Sequence, residues 1–187
     1  SPTGNVLDVG CAGGEISEFA TQIGHNVVAV DLNQPPKQLS KAIFIQHDLD
    51  KGLPSTINGK FDLIICADVL EHLRTPDKLL YELQERLTTS GKIVVSIPNF
   101  GNWYPRIRVL LGKFDYDARG ILDQSHLRFF TKKSFIRIAN IAGYDVTNIW
   151  TTGTPFEVML RGAPTRRISW ETMLTILAKI DRALCRL

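Results

Sequence analysis

The chain has 187 residues, 44% of them hydrophobic and 22% charged, with a mean hydropathy of −0.02. That is one domain's worth of sequence with material for a substantial core, which excludes a disordered tail, a collagen-like fibre and a disulfide miniprotein. The formal net charge of +3 lies wholly in residues 165–187, where five basic side chains face two acidic ones, and the neutral remainder disfavours a nucleic-acid partner, which asks for a basic stripe beside the cleft.

The opening SPTGNVLDVG lacks the charged and then apolar segments of a secretory leader, and no apolar run approaches the roughly 18–20 residues that cross a bilayer. Cys11, Cys66 and Cys185 are far apart and never form a C-x-x-C pair, so free thiols in a reducing, cytoplasmic setting are expected.

In chain order, Asn5–Val9, Asn26–Val30, Ala42–Gln46, Phe61–Cys66 and Lys92–Ile97 read as strands, alternating with helix-like stretches as in βαβ units. They are too continuously apolar for a one-sided sheet, so helices should cover both faces. Glu15–Ile23 reads as a helix closed by Gly24. Pro76–Leu87 is a second, with Leu79, Leu80, Leu83 and Leu87 on one face. Asn33-Gln34-Pro35-Pro36 leaves room only for an abbreviated crossover between strands two and three.

A third helix is expected over Ser134–Ala142, ended by Gly143. Tyr144–Trp150 and Phe156–Arg161, parted by a turn-prone segment, should form an antiparallel hairpin. From about Ser169 onward, Trp170, Met173, Leu177, Ile180, Leu184 and Leu187 recur at spacings of three and four, which predicts an amphipathic helix. Its stripe is expected to pack against protein, within the chain or in a homodimer, with membrane-surface contact the lesser expectation.

The first strand runs into Asp8-Val9-Gly10-Cys11-Ala12-Gly13-Gly14, a small-residue loop at the carboxyl end of a strand, where open α/β sheets bind ligands. The spacing departs from a dinucleotide fingerprint, because Glu15 falls where the third glycine would meet a pyrophosphate. Strand two ends at Asp31, strand three at Gln46-His47-Asp48 and strand four at Cys66-Ala67-Asp68, so Asp8, Asp31, Asp48 and Asp68 are delivered to one rim. An acid at the end of strand two can accept both hydroxyls of a ribose.

These segments, VLDVGCAGG, VVAVDLN, QHDLD, FDLIICADVLEHL and LTTSGKIVVSIPN, resemble the ordered motifs of class I S-adenosylmethionine-dependent methyltransferases, in the group of ubiquinone-type and MetW-like enzymes. The likeness covers about residues 5–162. It implies an α/β Rossmann-like fold with a seven-stranded, mostly parallel sheet whose last strand is antiparallel, and a methyl-transfer activity yielding S-adenosylhomocysteine. Residue by residue, it implies that Gly10, Cys11, Ala12 and Gly14 cradle the methionine end of S-adenosylmethionine, with Asp8 supporting the loop. Asp31 with Leu32 would hold the ribose, Asp48 with Leu49 would meet the adenine, and Ala67 with Asp68 would flank the methionine amine. Ala12 stands where glycine is common in the family, which is tolerable if its φ is negative. Such enzymes usually carry a helix before the first strand, so the chain is read as a possible fragment.

Asp68-x-x-Glu71-His72 would place three candidate metal ligands on one helical face. The preferred reading has no metal: Asp68 and Glu71 complete a first helical turn and His72 lines the pocket. Between strand five and the next helix, residues 98–131 hold seven of the sixteen aromatic side chains, a length far beyond the usual 2–6-residue connection. This segment is expected to be an acceptor cap. It resembles part of bacterial methyltransferase domains found beside glycosyltransferases, which points to a glycan or lipid-linked acceptor. His126, Arg128 and His72 are the candidate catalytic residues, with His126 orienting or deprotonating the acceptor.

The expectation is thus one methyltransferase domain over residues 1–162 and a helix over 163–187, methylating a small molecule or glycan-type acceptor, on oxygen. The rivals are a non-catalytic S-adenosylmethionine-binding scaffold and a nicotinamide oxidoreductase.

Overall fold

A computed structural model describes residues 3–35, 39 and 41–151. The strands are β1 (Asn5–Val9), β2 (Asn26–Asp31), β3 (Ile43–Gln46), β4 (Phe61–Ala67) and β5 (Leu87–Ser96). The helices are α1 (Glu15–Gln22), α2 (Pro76–Gln84), α3 (Trp103–Leu110) and α4 (Lys132–Ile141), with single 3-10 turns at Leu49–Lys51 and Leu70–His72.

All described pairings are parallel, in the order β3-β2-β1-β4-β5. β1 is central, with Val9 opposite Val30 on one side and Cys66 on the other. Alternation within β1 sends Leu7 and Val9 to one layer and Val6 to the other, as the two-residue period of a strand requires. Leu7, Val9, Val30, Ile64 and Cys66 pack with Leu79, Leu80 and Leu83 of α2 and with Phe135 and Ile138 of α4. Val6, Val27 and Ile65 pack under Ile16 and Ala20 of α1. Helices therefore cover both faces, as the apolar strands predict.

The connection from β2 to β3 contains no helix among its described residues, in line with the two prolines. Other boundaries differ from the sequence reading. α2 stops at Gln84, and Leu87, expected on its apolar face, opens β5 opposite Phe61. The Thr88-Thr89 pair is poorly suited to a helix, and the Phe61 N–H is bonded by the Arg86 carbonyl at 2.8 Å. Between Phe61 and Leu63 the register shifts, and there a Cβ on Gly91 would lie 2.7 Å from the Phe61 carbonyl oxygen. α4 starts at Lys132, two residues before the expected Ser134, because Thr131 and Ser134 form a reciprocal capping box.

Tyr144–Trp150 has no ladder partner among the described residues, and its expected partner Phe156–Arg161 lies outside them. Instead the Tyr144 hydroxyl donates to the Leu80 carbonyl at 2.8 Å, tying this segment to α2. The described sheet therefore has five strands. Phe156–Arg161, the boundary at residue 162 and the C-terminal helix with Cys185 fall outside the described residues.

Candidate cofactor cradle and acceptor cap

The chain passes from β1 to β2 on one side of the sheet and returns to β4 on the other, so a crevice opens above the carboxyl ends of β1 and β4, the place where open α/β sheets take ligands. The β1–α1 loop lines it. Its backbone is pinned by Gly10 and Cys11 N–H groups donating to the Val30 carbonyl, at 2.8 and 3.2 Å. Gly10 has φ +72° and Gly14 φ +77°, the left-handed region that glycine enters without strain. A Cβ on Gly10 would overlap a Val69 methyl, so here the lack of a side chain is also a packing requirement.

Ala12 contradicts the expectation of a negative φ. It sits at +44°, one of two described non-glycine residues with positive φ, the other being Asp68 at +53°. Gly14 N–H donates to the Cys11 carbonyl at 2.7 Å, closing a turn that forces Ala12 into this conformation. Two strained residues thus flank the crevice, one after β1 and one after β4.

Asp31 is buried, and its two oxygens are engaged by the protein. Oδ2 accepts from the Ala12 N–H at 2.9 Å, while Oδ1 accepts from the Asn33 N–H at 2.8 Å and its side-chain amide at 3.1 Å. The carboxylate therefore holds the glycine loop while retaining further acceptor capacity. Leu32 beside it is exposed. Asp8 is almost completely buried beneath the loop and accepts a 2.6 Å bond from Ser17 of α1. Burial pushes its carboxyl up to about 6 against that hydrogen bond, with Asp31 adding to the rise. Ser17 was missed in the sequence, although its spacing of nine from Asp8 across a strand–loop–helix unit was readable. Burial likewise pushes the Cys11 thiol up to about 12, so it stays protonated and is no nucleophile. Asp48 caps the turn of Leu49–Lys51, accepting from the Asp50 N–H at 3.1 Å, with Lys51 at 3.6 Å and Leu49 buried beside it.

After β4, Ala67 leads into Asp68, whose N–H donates to the Ser96 carbonyl at 3.0 Å and whose carboxylate takes the Ser96 hydroxyl. Asp68 is thereby tied to β5. The next residues join the cradle to the cap. Val69 faces Gly10, and the Glu71 carbonyl accepts from Leu127 N–H at 2.7 Å and Arg128 N–H at 3.0 Å. His72 Nδ1 faces the Ser125 carbonyl at 3.1 Å, and the Arg128 guanidinium donates to the Arg74 carbonyl.

The alternative of a metal trio formed by Asp68, Glu71 and His72 is not the grouping found; Glu71, His72 and His126 offer ligand atoms within 4.8 Å of one another. The Glu71 carboxylate is 1% exposed, and neither oxygen has a hydrogen-bond partner among the described residues. Burial pushes its carboxyl up to about 8. The His72 and His126 rings meet edge to face at 4.9 Å. His126 is buried with Nδ1 3.2 Å from the Ile121 carbonyl, and desolvation depresses its pKa. A ring nitrogen facing a carbonyl carries the proton, which leaves Nε2 with its lone pair.

The cap's aromatics divide into three groups, one of them the pair Trp103 and Tyr104, edge to face at 6.2 Å. Phe130 is buried in the sheet's core against Phe135. Phe100, Phe114, Tyr116 and Phe129 pack on one another, with Phe100 and Phe129 at 4.9 Å and Tyr116 stacked on Phe129 at 6.2 Å. Phe114 and Tyr116 remain more than half exposed, which a purely structural cluster would avoid.

A parallel sheet with a glycine cradle at its switch point and an acid at the end of β2 defines a nucleoside-cofactor domain. Residues 1–149 match the family model described as "Methyltransferase domain". The chain is 25% identical over 160 residues to the ubiquinone biosynthesis O-methyltransferase of Pseudomonas aeruginosa, covering 74% of this chain and 66% of that protein. It is 31% identical over 100 residues to the mitochondrial ubiquinone biosynthesis O-methyltransferase of Schizosaccharomyces pombe, covering 49% of this chain and 36% of that one. Among solved structures, a SAM-dependent methyltransferase from Archaeoglobus fulgidus superposes with a TM-score of 0.62 at 21% identity, over 96% of this chain and 79% of that chain. The chain belongs to the methyltransferase-domain family and has the class I fold. It spans less than two thirds of the length of these two curated relatives. The rim suits the ribose of S-adenosylmethionine, because the Asp31 carboxylate keeps free lone pairs there beyond its bonds to Ala12 and Asn33. Among the described residues no helix is long and apolar enough to cross a membrane.

Proposed function

We propose that the chain catalyses transfer of a methyl group from S-adenosylmethionine to a hydroxyl of a small-molecule or lipid- or glycan-linked acceptor held under the cap. Two relatives named for O-methylation support oxygen as the receiving atom. When bound, the cofactor supplies a sulfonium methyl that is already electrophilic, so the protein's contribution is alignment and proton removal. The loop from Gly10 to Gly14 holds the methionine end and Asp31 the ribose. His126 Nε2 takes the acceptor's hydroxyl proton as that oxygen forms its bond to the methyl carbon. Arg128, spent on the Arg74 carbonyl, positions the cap.

The observation that carries this reading is His126: a buried imidazole, its tautomer set by Ile121, on a loop hydrogen-bonded to the segment that also contacts Gly10. The test is mass-spectrometric detection of methyl transfer to phenols, sugars and lipid-linked sugars. Binding of S-adenosylmethionine without turnover on any of them would favour the scaffold reading.

A second reading is favoured by the unpartnered Glu71 carboxylate: a divalent cation held by Glu71, His72 and His126 that orients the acceptor oxygen. Chelation separates the two. Turnover insensitive to a chelator fits the base, whereas turnover lost with the chelator and restored by a divalent ion fits the cation.

A further inference from the structure

We propose that the cap docks on an anionic lipid surface through the exposed face formed by α3 and the turn after it. Trp103, Ile107 and Leu110 lie at i, i+4 and i+7 on α3, and Leu111, Phe114 and Tyr116 follow in the turn after it. Leu110 is 84% exposed and Leu111 66%, and the other four are about half exposed or more. The described residues leave Leu110 and Leu111 largely uncovered, and so many part-exposed apolar side chains in one 14-residue segment are costly to leave in water.

The charge around the stripe selects the occupant. Arg106, Lys113 and Arg119 have no described carboxylate within 4 Å, while Arg108 is held by Asp117 at 2.5 Å. α3 itself contains no acidic residue, and residues 103–119 carry a net +2, with four basic side chains against Asp115 and Asp117. A second copy would set this basic rim against itself. The chain's own residues 165–187 carry +3, so they too meet it with like charge. An anionic headgroup layer matches both the rim and the stripe, and a Trp and a Tyr at its borders suit the headgroup–acyl boundary. Phe114 and Tyr116 in turn pack on Phe129, three residues after His126 in the chain. The docking does not depend on which acceptor is methylated.

The full chain should co-sediment with vesicles of 70:30 phosphatidylcholine and phosphatidylglycerol, far less with pure phosphatidylcholine, and less as salt is raised. Leu110→Ser with Leu111→Ser should lower the partition coefficient about tenfold or more with circular dichroism and S-adenosylmethionine affinity unchanged, and Arg106→Glu with Lys113→Glu should do the same. In a Trp150→Phe, Trp170→Phe background, brominated lipid should quench Trp103. Wild-type partitioning by either double variant, unquenched Trp103, or dimerisation through this face without vesicle binding would each overturn the proposal.

Discussion

Gly10 and Val69 face one another so closely that the first has no room for a side chain, and this contact joins the loop after β1 to the segment after β4. Because that segment goes on to bond residues 125–128 through Glu71 and His72, the glycine loop and the 98–131 segment share one continuous support. Gly10→Ala combines a clash with an unfavourable φ and should lower stability by roughly 1–3 kcal/mol. Adding Val69→Ala removes only the clash, so thermal melts of the single and double variants should show partial recovery. Full recovery would mean that φ costs nothing there.

Ala12 at φ +44° predicts the opposite sign. Ala12→Gly should relieve strain of about 1 kcal/mol, offset in part by the greater freedom of glycine in the unfolded chain. Calorimetry should find S-adenosylmethionine bound at least as tightly as by the parent protein. Weakened binding would show that the methyl group itself contributes a contact.

Asp31→Ala should weaken S-adenosylmethionine binding by roughly 1.5–3 kcal/mol, the scale of charge-assisted hydrogen bonds, and should also release the Ala12 N–H. Exchange at the Ala12 amide should therefore quicken in the cofactor-free protein. Unchanged affinity in a folded variant would remove Asp31 from the site.

These positions show how far the sequence could be read. The succession of strands along the chain, and the aspartates near their ends, followed from runs of apolar residues and the turn residues behind them. The sign of φ at Ala12 did not, since it is imposed by the Gly14–Cys11 bond and the Asp31 carboxylate nineteen residues away. Nor did the replacement of Asp68 by His126 beside Glu71 and His72, because spacing within one helix turn cannot report that Ser96 draws Asp68 towards β5. Leu87 was misplaced for a related reason: three apolar residues of α2 precede it in register, and only pairing with Phe61 makes it a strand residue.

Asp8 should give stability a pH dependence. Its carboxyl, ordinarily near 3.8, is raised to about 6 by burial, so between these values the folded chain binds the extra proton. Stability conferred by that proton is present at low pH and is lost as pH rises from about 4 to about 6, on the order of 3 kcal/mol in full. Asp8→Asn should flatten this window in denaturant titrations, and a slope unchanged by the substitution would assign it to other groups.

The most direct measurement is the effect of His126→Ala on two quantities in the same protein, S-adenosylmethionine affinity by calorimetry and methyl transfer to an accepted hydroxyl compound. The account predicts turnover reduced about 100-fold or more, with affinity for S-adenosylmethionine within twofold of the parent. Turnover near the parent's, or affinity lost together with turnover, would contradict it.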